Sequence, residues 1–445
     1  MKMSKQSWPK IFRDPIHNII SFEDNDCDIL LLGLIDTKEF QRLRRIKQLG
    51  MCDLVFPGAN HSRFAHSLGV MHVARMMLNR IGRLMGSKLT EEHRKIVLVS
   101  ALLHDIGHGP YSHAFESVTG ISHEEWTRKI ILDESTGVNK VLSKDDREMP
   151  AKVAAFFLEI PEEDNDQNNL IPPYLEQIVS SQLDADRFDF LLRDSHATGT
   201  EYGYYDLEWL IKHIHINENK KRLYLDRKAI LAVTNYIFAR FHMYQAVYYH
   251  KATRAAELML KLILKRYKDM IDQEDTEEKK KAVAPGVSIN MIHSFSGKLS
   301  LKEFLFLDDN SVIELIKACA DSSDTILKMI GNGITDRILY KCVDMTTVSP
   351  RKVGDFTARA TDHLLKMNRL SEYTFVPDDI RLKGYKPYIP DAEKPATQIY
   401  VETPTGEQMD IGDYSKPVRQ LCEQQEFLRY YFPEDLREQM EKIAN

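Results

Sequence analysis

Cysteine is scarce in this chain of 445 residues: five are present, and they lie far apart, at positions 27, 52, 319, 342 and 422. Without a C-x-x-C pair or a short series of evenly spaced cysteines, the sequence provides neither a disulfide framework nor a cysteine-bound zinc site. Apolar runs long enough to span a membrane, about 18 residues, are also missing, and the first residues lack the apolar core of a signal peptide. We therefore expect a cytoplasmic protein without a membrane segment.

A large charge excess is absent as well, since 60 Lys and Arg residues against 66 Asp and Glu residues leave a formal net charge of −6. No overall basic field is available to attract nucleic acid, although this balance does not exclude local basic pockets. Neither an internal repeat nor a Walker A motif is present. The hydrophobic content of 43% is typical of a globular protein, and 445 residues suffice for two or three domains.

Helical patterns dominate the chain. Glycine and proline are absent between Gly203 and Pro285, and residues 229–270 are predicted to form one long helix or two stacked ones. Apolar periodicity and capping residues predict further helices at 26–34, at 38–47, from Arg63, from Thr90 to His104 and Asp105, at 123–133, from Pro172 through Asp194, and within 286–345. Residues 161–169 are predicted to be a loop.

Short strands are expected at the two ends of the chain. Residues 10–22 predict a β-hairpin that turns near His17, and residues 397–411 predict a second one that turns at Pro404 to Gly406, before a closing helix near Pro433. The predicted fold class is mostly α, with a helical core, a short N-terminal β arm and a smaller α+β C-terminal region. We divide it into a core at 1–285, a helical extension at 286–348 and the C-terminal region at 349–445.

The most informative stretch runs from Ser100 to His113. An apolar helical run brings His104 and Asp105 side by side, and the glycines and proline that follow break the helix before the next histidines. A single histidine is more often a core or surface residue than a ligand. However, eight of the 16 histidines fall between residues 61 and 123, and this clustering favours one wall of a metal site.

Two other groups of charged residues each have two possible interpretations. The helix at 38–47 has a basic face, which is either solvated or part of an anion or nucleotide pocket. Four aspartates in the helix after Pro172, at positions 184, 186, 189 and 194, form either a salt-bridged surface or, for those near apolar positions, a partly buried group that needs a cation or hydrogen bonds. The aromatic residues between 236 and 249 are interpreted as core.

If His66, His104, Asp105 and Asp186 converge, two imidazoles and two carboxylates suit Fe, Mn or Zn, and Mg less well. Such an ion lowers the pKa of bound water and polarises a phosphoryl oxygen, which is the chemistry of phosphoester hydrolysis. Other side chains in the same part of the sequence supply proton transfer and phosphate binding. The candidates for acid or base are His108, His113, His123 and Glu116, and those for holding a polyphosphate are Arg63, Arg187 and Lys251.

His66, then His104 and Asp105, then Asp186 is similar to the H…HD…D signature of the HD superfamily of metal-dependent phosphohydrolases. The segments Asp14–His17, Phe40–Gly50, Phe56–Val70, Leu103–His113 and Asp184–Asp194 closely resemble the deoxynucleoside triphosphate (dNTP) triphosphohydrolases of that superfamily, which include a form fused to a sterile-alpha-motif domain and stand-alone bacterial relatives. The resemblance is dense from about residue 10 to 255 and thinner to about 345. It implies cleavage of a dNTP to a deoxynucleoside and inorganic triphosphate.

The resemblance also implies roles for individual residues. His66, His104, Asp105 and Asp186 bind the metal, while His108, Glu116 and His123 form the acid–base group with His113 near the α-phosphate. The substrate contacts implied are Arg63, Arg187, Arg240 and Lys251 for phosphates, and Gln48, Leu49, Asp194 and Tyr248 for the deoxyribose. Two positions depart from the family: Glu116 stands where Asp is frequent, and Phe190 stands where Tyr is frequent.

Relatives of this kind are controlled by nucleotides bound between subunits, so the resemblance implies a nucleotide effector, GTP, dGTP or another dNTP, and a homotetramer. The positions that match an effector site are Lys10, Asp36, Gln41 and Arg44. Arg337 and Lys341 match the residues that the partner subunit contributes to that site. Arg13 belongs to the same site but stands where the family commonly has another residue type, so the identity of the effector is open. Two alternatives stay open: an HD phosphodiesterase or nucleotidase that acts on other nucleotides, and a nucleotide sensor with little catalysis.

Overall fold

The computed structural model describes residues 8–120, 122–157, 171–297, 299–382, 385 and 398–444. Helices make up most of this part of the chain, with an N-terminal strand pair and a C-terminal α+β region, and the predicted fold class is confirmed. The predicted loop at 161–169 lies outside the described residues. None of the helices in these ranges combines the length and the apolar character that a bilayer crossing requires.

The first half of the chain forms the helical core around a β-hairpin. Strands β1 (Lys10–Asp14) and β2 (Asn18–Phe22) pair antiparallel, as the hairpin prediction required. The helices that follow are α1 (Asp26–Ile35), α2 (Lys38–Arg42), α3 (Arg63–Met85), α4 (Glu91–Leu103), α5 (His113–Thr119), α6 (His123–Leu132), α7 (Gly137–Asp145), α8 (Met149–Ala155), α9 (Pro173–Glu176), α10 (Ala185–Thr198) and α11 (Leu207–Lys212).

The second half continues with helices α12 (Ile230–Met243), α13 (Lys251–Asp272), α14 (Glu277–Val283), α15 (Ile289–Phe295), α16 (Leu301–Phe304), α17 (Asp309–Ala320), α18 (Thr325–Thr335), α19 (Pro350–Lys366), α20 (Ser371–Thr374), α21 (Ile411–Tyr414), α22 (Lys416–Leu421) and α23 (Arg437–Ala444). Its strands, with the hairpin that precedes α12, are β3 (Ile214–Asn217), β4 (Arg222–Leu225), β5 (Lys341–Asp344), β6 (Val376–Leu382), β7 (Tyr400–Glu402), β8 (Gln408–Asp410) and β9 (Gln425–Phe432).

Helix α3 is the centre of the core, because it packs against both α4 and α10. Its apolar residues, among them Val70, Val73 and Met77, are fully buried in one cluster with those of the neighbouring helices. Gly69 allows the close approach of α10, since a side chain there would collide with the carboxylate of Asp189 and the guanidinium of Arg193. The three helices therefore hold their polar residues in a fixed relation, at the end of α4 and along the facing sides of α3 and α10.

Some helix boundaries differ from the predictions for reasons of tertiary structure. The helix predicted at 38–47 ends at Arg42, and a 3-10 turn covers Leu43–Arg45. The next residues turn into an extended conformation, because Lys47 forms a β-bridge with Ser62 and the carbonyl of Ile46 accepts from the backbone N–H of Arg63. This pairing with a distant segment ends the helix and places Gln48 and Leu49 in a loop.

The helix predicted from Pro172 is also interrupted. Helix α9 ends at Glu176, and Asp184 begins α10 as its N-cap by accepting from the backbone N–H of Arg187. The stretch 229–270 is predicted to form either one long helix or two. It forms two helices, which are separated by a π-helical turn over Tyr244–Tyr248.

The C-terminal region contains two sheets. The predicted hairpin at 397–411 is present as β7 and β8, and β7 pairs parallel to β4 of the core, with Leu225 opposite Val401. Strand β9 lies between β5 and β6 in the other sheet. The helical prediction for 286–345 is therefore wrong at its end, where Lys341–Asp344 pairs with β9. The closing helix α23 follows a 3-10 turn after Pro433.

Candidate active site

A cavity of about 730 Å³ opens between the ends of α4 and α10 and the first half of α13. Ten of the residues predicted from the sequence line it. They are Gln48, Leu49, Arg63, His104, Asp105, His108, His123, Asp186, Asp194 and Tyr248. Side chains that are more than 140 residues apart in the sequence therefore share one pocket.

The four predicted metal ligands converge at one wall of this cavity. Nε2 of His66 lies 2.9 Å from Oδ1 of Asp186 and 3.8 Å from Oδ2 of Asp105. Nε2 of His104 lies 3.3 Å from Oδ1 of Asp105 and 3.6 Å from Oδ1 of Asp186. One donor atom each from His66, His104 and Asp105 lies within 4.8 Å of the others, a spacing that fits a shared ion.

The ring of His104 is oriented for a metal ion. Its Nδ1 donates to the carbonyl of Ala101 at 2.9 Å, so the lone pair of the neutral ring is on Nε2. This buried Nε2 has no hydrogen-bond partner among the residues that the structure describes. An imidazole fixed through one nitrogen, with the other directed at carboxylates, is the usual arrangement of a histidine ligand. The donor set therefore fits a divalent ion.

A buried ionic network holds His66 from behind. Nδ1 of His66 lies 2.8 Å from Oδ2 of Asp189, and both oxygens of that carboxylate accept from Arg193 at 2.8 Å. His17 and Asp14 complete the network, since His17 contacts Asp189 and Asp14 accepts from Arg193. Burial opposes the charged ring, but the hydrogen bonds to Asp186 and Asp189 raise the pKa of His66 to about 10. A bound cation would replace the proton on Nε2.

The predicted acid–base residues lie next to the carboxylate cluster. The rings of His108 and His123 stack with centroids 3.9 Å apart, and Nδ1 of His123 lies 2.9 Å from Oε1 of Glu116. Nε2 of His108 lies 3.2 Å from Oδ1 of Asp105. Burial and the nearby guanidinium of Arg63 lower the pKa of His108 to about 3, so its ring is neutral at pH 7. The side chain of His113 lies outside the described residues.

Arg63 joins the carboxylate cluster to the phosphate side of the cavity. Its Nη1 donates to Oδ2 of Asp105, and its Nε and Nη2 donate to Oγ of Ser112 at 3.1 and 2.8 Å. The guanidinium is buried, because the first turn of α3 lies under the loop that follows α4. A planar cation with this fixed orientation suits an oxygen of a phosphate group.

A second group of polar atoms lies around Asp194. Its carboxylate accepts from the hydroxyl of Tyr248 at 2.6 Å and lies 2.8 Å from Nε2 of His61. Oε1 of the nearby Gln48 is buried and has no hydrogen-bond partner among the described residues. The ring of Phe190 lies 6.5 Å from that of Tyr248 and carries no hydroxyl into the cavity. These groups can hydrogen-bond a sugar hydroxyl.

Three of the predicted phosphate contacts do not line the cavity. Nε of Arg187 lies 3.5 Å from Oδ2 of Asp184, and the guanidinium of Arg240 lies 5.8 Å from the ring centre of Tyr244, which does line it. Lys251 lies in a separate pocket of about 300 Å³ beside Arg429. Their predicted roles therefore require these side chains to reach toward the substrate from the rim.

The predicted effector residues lie in two groups on the surface. In the first, Gln41 donates to the carbonyl of Ile35 at 2.8 Å and accepts from Nε of Arg44 at 2.8 Å, while Asp36 is exposed at the end of α1. Lys10 and Arg13 are in β1, and Arg13 donates to Asn18. In the second group, Arg337 donates to the carbonyl of Leu54 and Lys341 pairs with Glu434 at 2.7 Å.

Sequence reasoning missed three charged residues of α13 that line the cavity: Arg254, Glu257 and Lys261. Their spacing of three and four places them on one face of the helix. Charged residues at this spacing, on a helix whose other faces are apolar, were the available signal. Asp189 was missed as the partner of His66, since its burial depends on contacts with α3 that no local pattern shows.

Comparisons with known proteins agree with this geometry. A family model described as "HD domain" matches residues 63–188, and one described as "HD associated region" matches residues 205–284. The protein YwfO of Bacillus subtilis is 34% identical over 97% of this chain and 94% of its own length. A Dictyostelium discoideum protein named "Deoxynucleoside triphosphate triphosphohydrolase SAMHD1 homolog" is 28% identical over 85% of this chain and 69% of its own length. A phosphohydrolase of Bacteroides thetaiotaomicron, 26% identical, superposes with a TM-score of 0.76 over 96% of this chain and all of its own.

Proposed function

The chain belongs to the HD-domain phosphohydrolase family, and from this we propose that it hydrolyses dNTPs to deoxynucleosides and inorganic triphosphate. One observation carries the proposal: His104, Asp105 and Asp186, with His66 fully buried behind them, share a cavity with the polar group around Asp194. A set of metal ligands alone is compatible with any phosphoester substrate. Hydrogen-bonding groups for a sugar beside these ligands are what a nucleotide substrate requires. Relatives that bear the dNTP triphosphohydrolase name support the same substrate class.

The donor set would hold Fe, Mn or Zn through two imidazoles and two carboxylates, or Mg less well. When bound, such an ion supplies a polarised phosphoryl oxygen and a water of lowered pKa. The chain's own residues supply the rest. Arg63, fixed by Asp105 and Ser112, can hold a phosphate oxygen of the substrate in a constant position.

The leaving group of this reaction is the 5′ oxygen of the deoxynucleoside, which must gain a proton as its bond to the α-phosphorus breaks. His123 can donate that proton from Nε2, because Glu116 binds its Nδ1 and fixes the orientation of the ring, although Nε2 must then leave the carboxylate of Glu124, 3.2 Å away. The neutral His108 stacked against it can accept a hydrogen bond from the attacking water and orient it. The water oxygen forms a bond to the α-phosphorus as the bond to the 5′ oxygen breaks. The two protons of the water are accounted for by one proton on the triphosphate and one on the deoxynucleoside.

Regulation by a nucleotide effector and a homotetrameric assembly form the second part of the proposal. The groups around Arg44 and around Lys341 lie at the surface and contain the cationic side chains of Arg44 and Lys341, so a polyphosphate that displaces Glu434 from Lys341 could bridge them between two subunits. An effector that binds the assembled form shifts the equilibrium toward it by mass action. The effector would be GTP, dGTP or another dNTP.

The experiment is a matrix of the four dNTPs as substrates against GTP and each dNTP as effector, with Mn²⁺ or Mg²⁺ present. Released triphosphate is measured by ion-exchange chromatography. We expect triphosphate and deoxynucleoside in equal amounts. The double variant His104→Ala, Asp105→Ala should lose bound metal and turnover while keeping its helical circular dichroism spectrum.

Release of monophosphate or pyrophosphate would favour an HD phosphodiesterase or nucleotidase instead. If none of the four dNTPs is hydrolysed with any effector, the nucleotide-sensor alternative gains support. Turnover that survives in the double variant would place the active site elsewhere.

A further inference from the structure

We propose that Glu257 and Lys261 read the nucleobase of the substrate and select guanine. This inference rests on the proposed function and names the base preference of the same site. Both side chains lie on one face of α13 and line the cavity together with Gln48, Leu49 and Cys52. They belong neither to the carboxylate cluster nor to the group around Asp194.

Glu257 lines the cavity on a helix that packs beside the sugar group. Helix α13 packs against the 3-10 turn Gly50–Leu54, which follows directly after Gln48 and Leu49. Burial first, and then the nearby carboxylates of Glu257 and Asp194, raise the pKa of the Cys52 thiol, and all three residues line the cavity. A nucleoside whose sugar contacts Asp194 can therefore bring its base to Glu257.

Arg254 holds the Glu257 carboxylate in place. Its Nη1 donates to Oε2 of Glu257 at 2.7 Å, while its Nε and Nη2 donate to Asp378 at 3.0 and 2.6 Å. Asp378 is buried in β6, so the guanidinium is fixed from the C-terminal sheet. A carboxylate has room for about four hydrogen bonds, and among the described residues Arg254 is the one hydrogen-bond donor to Glu257. Acceptor capacity remains for a ligand.

Lys261 supplies a donor one helical turn away. Its ammonium forms no hydrogen bond or ion pair within the described ranges, although the side chain is half-buried at the cavity wall. A cavity that presents a carboxylate and an unpaired ammonium side by side presents two acceptor atoms and a donor. The matching ligand edge has two adjacent hydrogen-bond donors for the carboxylate and, beside them, an acceptor for the ammonium.

Guanine has that pattern. Its N1–H and its 2-amino group are adjacent donors that can both bind one carboxylate, and its O6 is an acceptor beside them for an ammonium. Adenine places an acceptor at N1, so its lone pair would face the acceptor oxygens of the carboxylate that Arg254 binds. Cytosine does so at N3, and thymine offers one donor instead of two. The arrangement therefore favours dGTP over the other three substrates.

The test compares dGTP with dITP, whose base lacks the 2-amino group. With the effector concentration held constant, the wild-type enzyme should have a kcat/KM about tenfold or more higher for dGTP than for dITP. Glu257→Gln keeps the shape and the contact with Arg254 but can accept only one of the two donors. We expect this variant to reduce the dGTP to dITP ratio to about one, with dTTP turnover changed less than about threefold.

Two further variants separate base reading from other roles. Lys261→Gln should lower kcat/KM for dGTP and dITP alike, because both bases carry O6, and so leave their ratio unchanged. Asp272→Asn, on the exposed end of the same helix, is the matched control and should behave as wild type. A wild-type ratio near one would overturn the proposal, as would an equal loss for all four dNTPs in Glu257→Gln. An equal loss for all four in Lys261→Gln would assign that ammonium to a phosphate.

The two proposals can fail separately. If the wild-type protein hydrolyses no dNTP, the proposed function fails, and base reading is then measured as binding by equilibrium dialysis of dGTP and dITP. A preference for dGTP that Glu257→Gln removes would still support the guanine contact. Equal binding of both nucleotides by the wild-type protein would refute it.

Discussion

Nδ1 of His66 lies 2.8 Å from Oδ2 of Asp189, while Nε2 of the same ring lies 2.9 Å from Oδ1 of Asp186. One imidazole thus connects a fully buried carboxylate to one that faces the cavity. The buried contact fixes both the ring orientation and the nitrogen that is left for a metal ion. Because Arg193 and His17 also bind Asp189, the position of His66 depends on four side chains, three from α10 and one from the turn of the β-hairpin.

We predict that Asp189→Asn weakens metal binding although Asp189 is not itself a ligand. The amide cannot accept from His66, His17 and Arg193 as the carboxylate does, and carboxylates of this kind contribute about ten- to a hundredfold to metal affinity. Removal of one partner from a buried ionic network also costs about 3–5 kcal/mol of unfolding free energy. Metal content by inductively coupled plasma mass spectrometry and the urea midpoint measure the two effects.

Asp226→Asn is the matched control for this change. It also removes a carboxylate from a histidine, since Oδ2 of Asp226 lies 2.6 Å from Nδ1 of His213, but this pair is outside the cavity. We expect it to affect stability and to leave metal content unchanged. If Asp189→Asn binds metal as tightly as the wild-type protein, Asp189 contributes to stability but not to metal binding.

A second prediction concerns Glu116, which positions His123. In Glu116→Gln the amide oxygen can still accept from Nδ1 and from the backbone N–H of His123, but both hydrogen bonds lose an ionised acceptor and hold the ring less firmly. We expect kcat to fall about ten- to a hundredfold, with metal content unchanged. Glu116→Asp, which restores the residue frequent in the family, should recover most of the activity.

If Glu116→Gln keeps the wild-type kcat, Glu116 does not position His123 for catalysis. A loss of metal in this variant would place Glu116 among the ligands.

Local patterns predicted the helices well where the helix boundary is itself local. Thr90 caps α4 and Ser122 caps α6, both through their own side chains. The end of α2 could not be predicted in this way, because it depends on the bridge from Lys47 to Ser62. The same holds for the break between α9 and α10, where Asp184 is a cap and not a mid-helix residue.

The candidate site could be predicted as a set of residue types but not as a geometry. Histidine clustering pointed to the region of His104, and the family resemblance brought in Asp186, which lies 120 residues from His66 in the sequence. Nothing in the sequence showed that Asp189 faces the opposite nitrogen of His66. The direction of Glu257 and Lys261 into the cavity was hidden because helical spacing shows which residues share a face and not which neighbour that face meets.

The third prediction concerns the effector residues. The Arg44 guanidinium is exposed, lies 3.6 Å from the centre of the Phe64 ring and donates to Gln41, so it is held ready for an anion without an acidic partner in the described ranges. We expect Arg44→Ala and Lys341→Ala to lose about tenfold or more of the nucleotide activation, with metal content unchanged. Activity with and without GTP, and sedimentation velocity at constant protein concentration, measure activation and assembly.

The exposed Arg83→Ala on α3 is the control, because it removes the same charge far from both groups in the sequence. Unchanged activation and unchanged assembly in both variants would exclude an effector site at these residues.

The last prediction concerns His72, a partly buried residue of α3 whose ring centre lies 5.1 Å from that of His17. Burial, followed by the charges of His17 and Arg75, lowers the pKa of His72 to about 4. In the unfolded chain the ring has a pKa near 6.5, so between these values the unfolded state takes up a proton that the folded state does not. Stability from the neutral ring is therefore complete above about pH 6.5 and is lost as the pH falls toward 4.

We expect this residue alone to lower the free energy of unfolding by about 2 kcal/mol between pH 7.5 and pH 5. His72→Gln cannot take up the proton and should reduce the pH-dependent loss by that amount, measured by urea unfolding at the two pH values. The exposed His196→Gln should keep the wild-type difference. If His72→Gln also keeps it, the ring is protonated in the folded protein as readily as in the unfolded chain, and its burial beside His17 carries no cost.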